Sequence, residues 1–224
     1  MTFGRKLAAE ALGSMLLLAT VVGSGIMGER LSGGNVAIAL LANSIATGGT
    51  LVAIILALGS VSGAHFNPAV TLASAAERRT PWREVPGYIA AQVAGAFAGV
   101  AAAHVMFGEP VFSISQHARA GGAQMFSEFV ATFGLLFVIW GAGRFRPDTI
   151  AFVVGAYITS AYWFTASTSF ANPAVTLARS VTNTFSGIRP VDAPAFIAAQ
   201  LTGAFAATLL WSWLLPERKT IDVA

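Results

Sequence analysis

One heptapeptide, Asn-Pro-Ala-Val-Thr-Leu-Ala, occurs twice in this chain of 224 residues, at 67–73 and at 172–178. A second landmark repeats with it. Tyr-Ile-Ala-Ala-Gln at 88–92, followed closely by Gly-Ala-Phe-Ala, returns as Phe-Ile-Ala-Ala-Gln at 196–200 with the same sequel. Identical segments this far apart in so short a chain predict two copies of one structural unit.

A glutamate opens an apolar run in each half of the chain, at Glu10 and at Glu128. Each half therefore has the same order: a glutamate-led apolar segment, a second apolar segment, the heptapeptide, and a third apolar segment. We predict a first repeat over 1–107 and a second repeat over 126–215. The chain has no long linker or low-complexity tract, so 1–224 is expected to form a single domain.

The composition indicates a membrane protein. Hydrophobic residues make up 55% of the chain and charged residues only 10%, and the mean hydropathy is +0.70, which leaves too little polar surface for a soluble globule. A helix needs about 20 apolar residues to cross the hydrocarbon layer. Six segments qualify, and both heptapeptides lie outside them: 8–27, 36–58, 85–107, 126–143, 149–166 and 194–215.

The basic residues predict how the chain is oriented. With the N-terminus in the cytoplasm, nine of the 13 Lys and Arg residues fall on the cytoplasmic side, as the positive-inside rule requires. We therefore expect an inner (plasma) membrane protein with both termini cytoplasmic and membrane lipid around it. The net charge of +3 then reflects topology, and no nucleic-acid partner is expected. The nine residues are Arg5, Lys6, Arg78, Arg79, Arg83, Arg144, Arg146, Arg218 and Lys219.

Three spans per half is an odd number, so the second copy must cross the membrane in the opposite sense, as an inverted repeat. In each heptapeptide, Asn is suited to cap a helix and Pro to occupy its first position. Each is too short to span, so two half-helices should meet at the midplane with their positive N-termini. A pore there would pass neutral hydroxylated molecules and repel cations. The residues of this constriction are Asn67, Pro68, Ala69, Asn172, Pro173 and Ala174.

With its paired Asn-Pro-Ala boxes and Glu-led first and fourth helices, the chain resembles the aquaporin and aquaglyceroporin channels, the major intrinsic proteins. Ser-Gly-Ala-His-Phe-Asn-Pro-Ala-Val-Thr at 62–71 matches the first signature of that family. The resemblance implies an all-α membrane protein with six transmembrane helices and two re-entrant half-helices, assembled as a homotetramer. It also implies that His65 lines the pore, and that Glu10 and Glu128 accept hydrogen bonds from the re-entrant loops.

The outer selectivity filter departs from the family. The resemblance implies an arginine after the second Asn-Pro-Ala, where this chain has Val175, and places the other filter positions at Thr47, Ser160 and Ser169. All four are small, so we expect a wide, uncharged filter. Glycerol, urea or neutral metalloid hydroxides such as arsenite should pass with water. Arg179 lies one helical turn beyond Val175; it either folds back into the outer vestibule or anchors the outer loop or lipid headgroups.

Other functional classes fit less well. The chain has no cysteine, no catalytic triad spacing and no phosphate-binding loop, so we expect neither an enzyme nor a metal site nor a cofactor. The alternative is a secondary active transporter, because inverted repeats with half-helices at the midplane are also its architecture.

Gly95 and Gly99 form a GxxxG pattern, and Gly203 with Ala207 is its counterpart in the second half. Small residues at this spacing let two helices approach closely. We expect this pattern to pair the third predicted span with the sixth.

Overall fold

A computed structural model describes residues 1–215 of the chain. In this part, eight α-helices are joined by loops and three 3-10 turns, at Trp82–Glu84, Pro147–Thr149 and Arg179–Val181. Arg218 and Lys219 of the charge analysis, and the C-terminus itself, lie outside the described residues. The helices are α1 (Phe3–Leu31), α2 (Val36–Ser62), α3 (Pro68–Ala76), α4 (Val85–Phe107), α5 (Gly122–Phe145), α6 (Ile150–Phe164), α7 (Pro173–Ala178) and α8 (Ala193–Leu214).

Five helices in the described residues are long and apolar enough to cross a membrane: α1, α2, α4, α5 and α8. The remaining predicted span, 149–166, corresponds to α6, which has only 15 residues. At 1.5 Å per residue such a helix extends about 22 Å, less than the ~30 Å thickness of the hydrocarbon layer. The helix ends at Phe164, and the next residue, Thr165, has extended backbone angles.

Glycine determines which long helices pack closest. α1 packs against α4, and α5 packs against α8. A Cβ atom at Gly95 of α4 would collide with the carbonyl oxygen of Ala11 in α1, and one at Gly203 of α8 would collide with that of Phe129 in α5. The small-residue pattern therefore pairs the first predicted span with the third and the fourth with the sixth. The expected pairing of the third span with the sixth is wrong.

The two short helices α3 and α7 start at the heptapeptides, as predicted. The Asn67 side chain caps α3 by accepting a hydrogen bond from the Ala69 N–H at 2.9 Å. Asn172 caps α7 in the same way, from Ala174 at 3.0 Å. Proline occupies the first turn of both helices, where its missing N–H leaves no hydrogen bond unmade. α3 and α7 contact one another, so their capped N-termini lie close together within the helix bundle.

Candidate functional site

A cavity of about 380 Å³ lies between the helices, and we call it the pore cavity. Lys6 and Glu84 border it near the starts of α1 and α4, where their side chains form an ion pair of 2.9 Å. Arg179, just after α7, also borders it. Asn67 and Asn172 both contribute to its wall. Asn67 and Asn172 of the predicted constriction thus share one cavity with Thr47, Ser169 and Val175 of the predicted filter.

Each asparagine holds the loop of the opposite half. Asn67 Nδ2 donates to the Ala171 carbonyl at 2.7 Å, and Asn172 Nδ2 donates to the Phe66 carbonyl at 2.8 Å. Each amide therefore caps its own helix with its oxygen and binds the other half with its nitrogen. The N-termini of α3 and α7 are fixed beside the cavity, where their dipoles are positive. The remaining residues of the predicted constriction are buried and do not border the cavity: Pro68, Ala69, Pro173 and Ala174.

Two buried carboxylates hold the loops that precede the short helices. Glu10 accepts hydrogen bonds from the backbone N–H groups of His65 at 3.0 Å and Phe66 at 2.7 Å. Ser62 Oγ donates to the same carboxylate at 2.6 Å. Glu128 accepts two backbone hydrogen bonds at 2.9 Å in the second half, from Phe170 and Ala171.

A glutamine completes each carboxylate site, and this role was not predicted from the sequence. Gln92 Nε2 donates to Glu10 at 2.7 Å and to Thr71 Oγ1 at 2.9 Å. The recurrence of Ala-Ala-Gln in both halves was the sequence feature that marked it. The equivalent bonds in the second half measure 2.6 and 2.8 Å and join Gln200 to Glu128 and Thr176.

His65 borders the pore cavity and is half-buried. Its Nδ1 lies 3.1 Å from Thr71 Oγ1, and its ring centroid lies 5.4 Å from that of Tyr88. The imidazole is therefore held in the cavity wall, the position expected for a pore-lining residue.

Three of the four predicted filter residues, Thr47, Ser169 and Val175, are buried and border the cavity. Ser169 Oγ is a buried hydroxyl without a hydrogen-bond partner in the described residues. Ser160, the fourth, is exposed, and its hydroxyl bonds the Tyr157 carbonyl at 2.8 Å. The placement of Ser160 in the filter is therefore wrong.

Tyr162 takes the place predicted for Ser160. It is buried and borders the cavity, and its hydroxyl lies 3.3 Å from Thr47 Oγ1. Counting back from the heptapeptide selects an exposed face of α6, because the count crosses the non-helical segment 165–171, where distance along the chain does not fix the helix face. The sequence predicted a filter lined by small side chains alone. With Tyr162 on the cavity wall, the lining also includes a large aromatic side chain.

The sequence left three roles open for Arg179: reaching the vestibule, anchoring a loop, or contacting lipid headgroups. The structure combines the first two. Its side chain is 2% exposed, so contact with lipid headgroups is excluded. Nε donates to the Ser186 carbonyl and thereby anchors the loop between α7 and α8. The guanidinium carbon lies 3.3 Å from the ring centroid of Phe170, and the residue borders the cavity. Arg179 therefore adds a positive charge to the cavity wall, although Val175 of the predicted filter is uncharged.

The chain is similar in sequence to a known family and to individual proteins. The sequence model of the family described as "Major intrinsic protein" matches residues 1–147 and 145–223. The aquaglyceroporin AqpS of Rhizobium meliloti (strain 1021) is 55% identical over 217 residues, which cover 97% of this chain and 93% of that protein. The rice aquaporin NIP1-3 (Oryza sativa subsp. japonica) is 36% identical over 186 residues, covering 80% of this chain and 64% of that protein.

A solved structure has the same fold. The X-ray structure of the aquaglyceroporin from Plasmodium falciparum superimposes with a TM-score of 0.73. The alignment covers 94% of this chain and 96% of that one at 22% sequence identity. The arrangement of long and short helices is therefore that of an aquaporin-like fold, as the sequence predicted.

Proposed function

The chain belongs to the major intrinsic protein family, whose members are channels, and from this premise we propose that the pore cavity is its conduction path. The protein is a multi-pass membrane protein and a passive channel for water and small solutes such as glycerol. The observation that carries the proposal is the single cavity bordered by both Asn67 and Asn172. Their side chains link the two halves at this point.

At the middle of this path, the N-termini of α3 and α7 supply the barrier to cations. Each helix end carries roughly half a positive charge, and both asparagine amides present N–H groups beside the cavity. A neutral solute exchanges its hydrogen bonds with water for bonds to these donors, whereas a cation loses hydration and meets a positive potential. The path therefore favours uncharged solutes.

At the outer part of the path, the side chains suit a solute with several hydroxyl groups. Ser169 Oγ is buried and unpartnered in the described residues, so a solute or water bound there would satisfy it. The hydroxyls of Thr47 and Tyr162 lie on the same cavity, and Val175 supplies apolar wall. Glycerol and the neutral trihydroxide of arsenite share a size and a hydroxyl pattern that fit these groups, so both belong to the proposed substrate range.

The wider arrangement belongs to the same proposal. The segments 1–107 and 126–215 are inverted repeats, which the matching bonds of Glu10 and Glu128 support. Both termini are cytoplasmic in the inner (plasma) membrane, and four copies form a homotetramer surrounded by lipid.

Stopped-flow light scattering on proteoliposomes tests the conduction path. Vesicles with purified protein are exposed to gradients of sucrose, glycerol and neutral arsenite, with empty vesicles as the baseline. We expect rapid shrinkage in all three and rapid reswelling in glycerol and arsenite. Fast shrinkage without accelerated reswelling would restrict the pore to water. Accumulation of a solute against its gradient would contradict passive conduction and favour a transporter.

A further inference from the structure

Two arginines contact the same phenylalanine ring beside the outer part of the pore cavity. The guanidinium carbon of Arg179 lies 3.3 Å from the ring centroid of Phe170, and that of Arg119 lies 4.9 Å from the same centroid. The two cationic groups are therefore separated by no more than the sum of these distances. Arg119 comes from the loop between α4 and α5, and Arg179 from the turn after α7.

Neither guanidinium is paired with a carboxylate of residues 1–215. Arg119 donates from Nε to the Gly187 carbonyl at 2.8 Å and from Nη1 to the Ser167 carbonyl at 3.2 Å. Arg179 donates from Nε to the Ser186 carbonyl. All these acceptors are neutral. The ion pairs within residues 1–215 involve other cations, namely Lys6 with Glu84, Arg30 with Glu109, and Arg189 with Asp192.

The carboxylates near this end of the cavity are already engaged. Asp192 accepts from Arg189 Nε at 3.0 Å and from the Arg119 backbone N–H at 2.8 Å. The hydrogen bond from Arg189 holds the pKa of Asp192 below its usual range, so Asp192 stays ionised and bound to that partner. Glu128 accepts from the second re-entrant loop and from Gln200. Neither carboxylate forms an ion pair with Arg119 or Arg179.

A buried cation without a counter-charge is costly, because desolvation is not offset by an ion pair. Arg179 is 2% exposed, and its Nη atoms make no hydrogen bond to residues 1–215. The residue nevertheless borders the pore cavity. The planar fork of a guanidinium matches two oxygens of an oxyanion, and the second positive group, that of Arg119, contacts the same Phe170 ring.

We propose that Arg179, backed by Arg119, forms a binding site for a small monovalent oxyanion at the outer end of the pore cavity, and that the bound anion obstructs the passage of neutral solutes. The anion would pair with the guanidinium of Arg179, which forms no ion pair within residues 1–215. The obstruction rests on the proposed conduction path, because the anion would occupy the same cavity. The binding itself does not depend on conduction.

Inorganic phosphate, at a pH where the monoanion predominates, is the probe. Proteoliposomes carry equal phosphate on both faces, which makes insertion orientation irrelevant, and sodium chloride at equal ionic strength is the reference. We expect glycerol reswelling to slow saturably, by about tenfold at full occupancy. We also expect phosphate to raise the melting temperature of the detergent-solubilised protein, because a ligand that binds the folded state stabilises it.

Arg179→Gln tests the assignment, and Arg30→Gln is its matched control. Both substitutions remove one arginine charge at the same end of the bundle, but Arg30 is exposed and paired with Glu109 at 2.8 Å. Phosphate should lose its effect in Arg179→Gln and keep it in Arg30→Gln. Arg119→Gln, which leaves Arg179 in place, should weaken the response and serves if Arg179→Gln does not fold.

Several outcomes would overturn the inference. One is that phosphate changes neither the glycerol flux nor the melting temperature of the native protein. Another is that the response to phosphate is undiminished in Arg179→Gln. An equal loss in Arg30→Gln would also overturn it, because surface charge would then explain the effect. Native protein that conducts glycerol but ignores phosphate leaves the channel assignment standing. Phosphate-dependent melting without any glycerol flux supports the anion site and contradicts the conduction path.

Discussion

Tyr162 and Arg179 are large side chains that border the pore cavity, which the smaller Thr47, Ser169 and Val175 also border. A tyrosine ring there limits the width of the path, and its hydroxyl, 3.3 Å from Thr47 Oγ1, keeps the wall polar. We therefore expect the size limit for solutes to depend on Tyr162, two residues after the exposed Ser160.

Tyr162→Ser should widen the path, and Ser160→Ala should leave it unchanged. Removing the ring lowers the barrier for larger neutral solutes, so we expect glycerol permeability to rise about threefold or more while water permeability changes less. Reswelling rates in proteoliposomes measure both. Ser160→Ala is the matched control because its hydroxyl bonds only the Tyr157 carbonyl. An effect of Ser160→Ala equal to that of Tyr162→Ser would return Ser160 to the filter.

Val175→Arg should narrow the same region. A second guanidinium one helical turn from Arg179 adds bulk and positive charge to a wall that is now apolar. We expect glycerol flux to fall about tenfold, equivalent to ~1.4 kcal/mol of barrier, and water flux to fall less. Unchanged glycerol flux would show that position 175 does not limit conduction.

Which individual residues line the cavity was the part of the site hardest to predict from the sequence. Val175 lies within the second heptapeptide and Ser169 three residues before it, so their distance along the chain fixed their position in the cavity wall. Tyr162 lies on the far side of the non-helical segment 165–171, whose length determines which face of α6 meets the cavity. The contacts of Arg179 with Phe170 and Ser186 join separate loops, and no local pattern specifies them.

At the scale of elements, the short helices depend on bonds between the two halves. Asn67→Asp replaces the donor that binds the Ala171 carbonyl with an oxygen that repels it, and adds a negative charge beside the cavity. We expect a lower melting temperature and a measurable sodium or proton leak in proteoliposomes loaded with a pH-sensitive dye.

Asn35→Asp is the control for that change. Asn35 caps α2 only as an acceptor, from the N–H groups of Ala37 and Ile38, and aspartate keeps this capability. Stability and cation exclusion should both be retained. A folded Asn67→Asp protein that remains impermeable to cations would contradict the midplane barrier.

The loop supports give a second prediction for the elements. Glu10→Gln keeps the size of the side chain but removes the charge that the His65 and Phe66 N–H groups bind. Hydrogen bonds to charged groups contribute about 1.5–3 kcal/mol each, so the melting temperature should fall by several degrees. Glu29→Gln, at an exposed position of α1, should leave it within about 1 °C. Equal melting temperatures for the two variants would refute the support role.

The elements themselves were largely predictable. Apolar length identified the long helices, and Asn followed by Pro identified the starts of α3 and α7. The early end of α6 was not predictable, because apolar and aromatic residues continue through Trp163 and Phe164 up to the point where the helix stops. The partner helices of the glycine patterns were assigned wrongly, since a small residue indicates close approach without naming the neighbour.

For the molecule as a whole, the matching bonds of the two halves are consistent with one unit used twice. Asn67 and Asn172 exchange equivalent hydrogen bonds, and Glu10 and Glu128 hold equivalent loops. If the halves cross the membrane in opposite senses, corresponding loops face opposite sides. The loop after α4 and the loop after α5 should also be exposed to different compartments, because α5 crosses the membrane once between them.

Cysteine labelling tests this orientation directly, because the chain has no cysteine of its own and any introduced thiol reports alone. Ala118→Cys lies in the loop between α4 and α5, and Asp148→Cys lies between α5 and α6; both positions are exposed. With the N-terminus in the cytoplasm, a membrane-impermeant maleimide added to intact cells should label Ala118→Cys at once. Asp148→Cys should react only after lysis. Labelling in the opposite order would reverse the orientation, and equal labelling of both in intact cells would rule out a single α5 crossing between them.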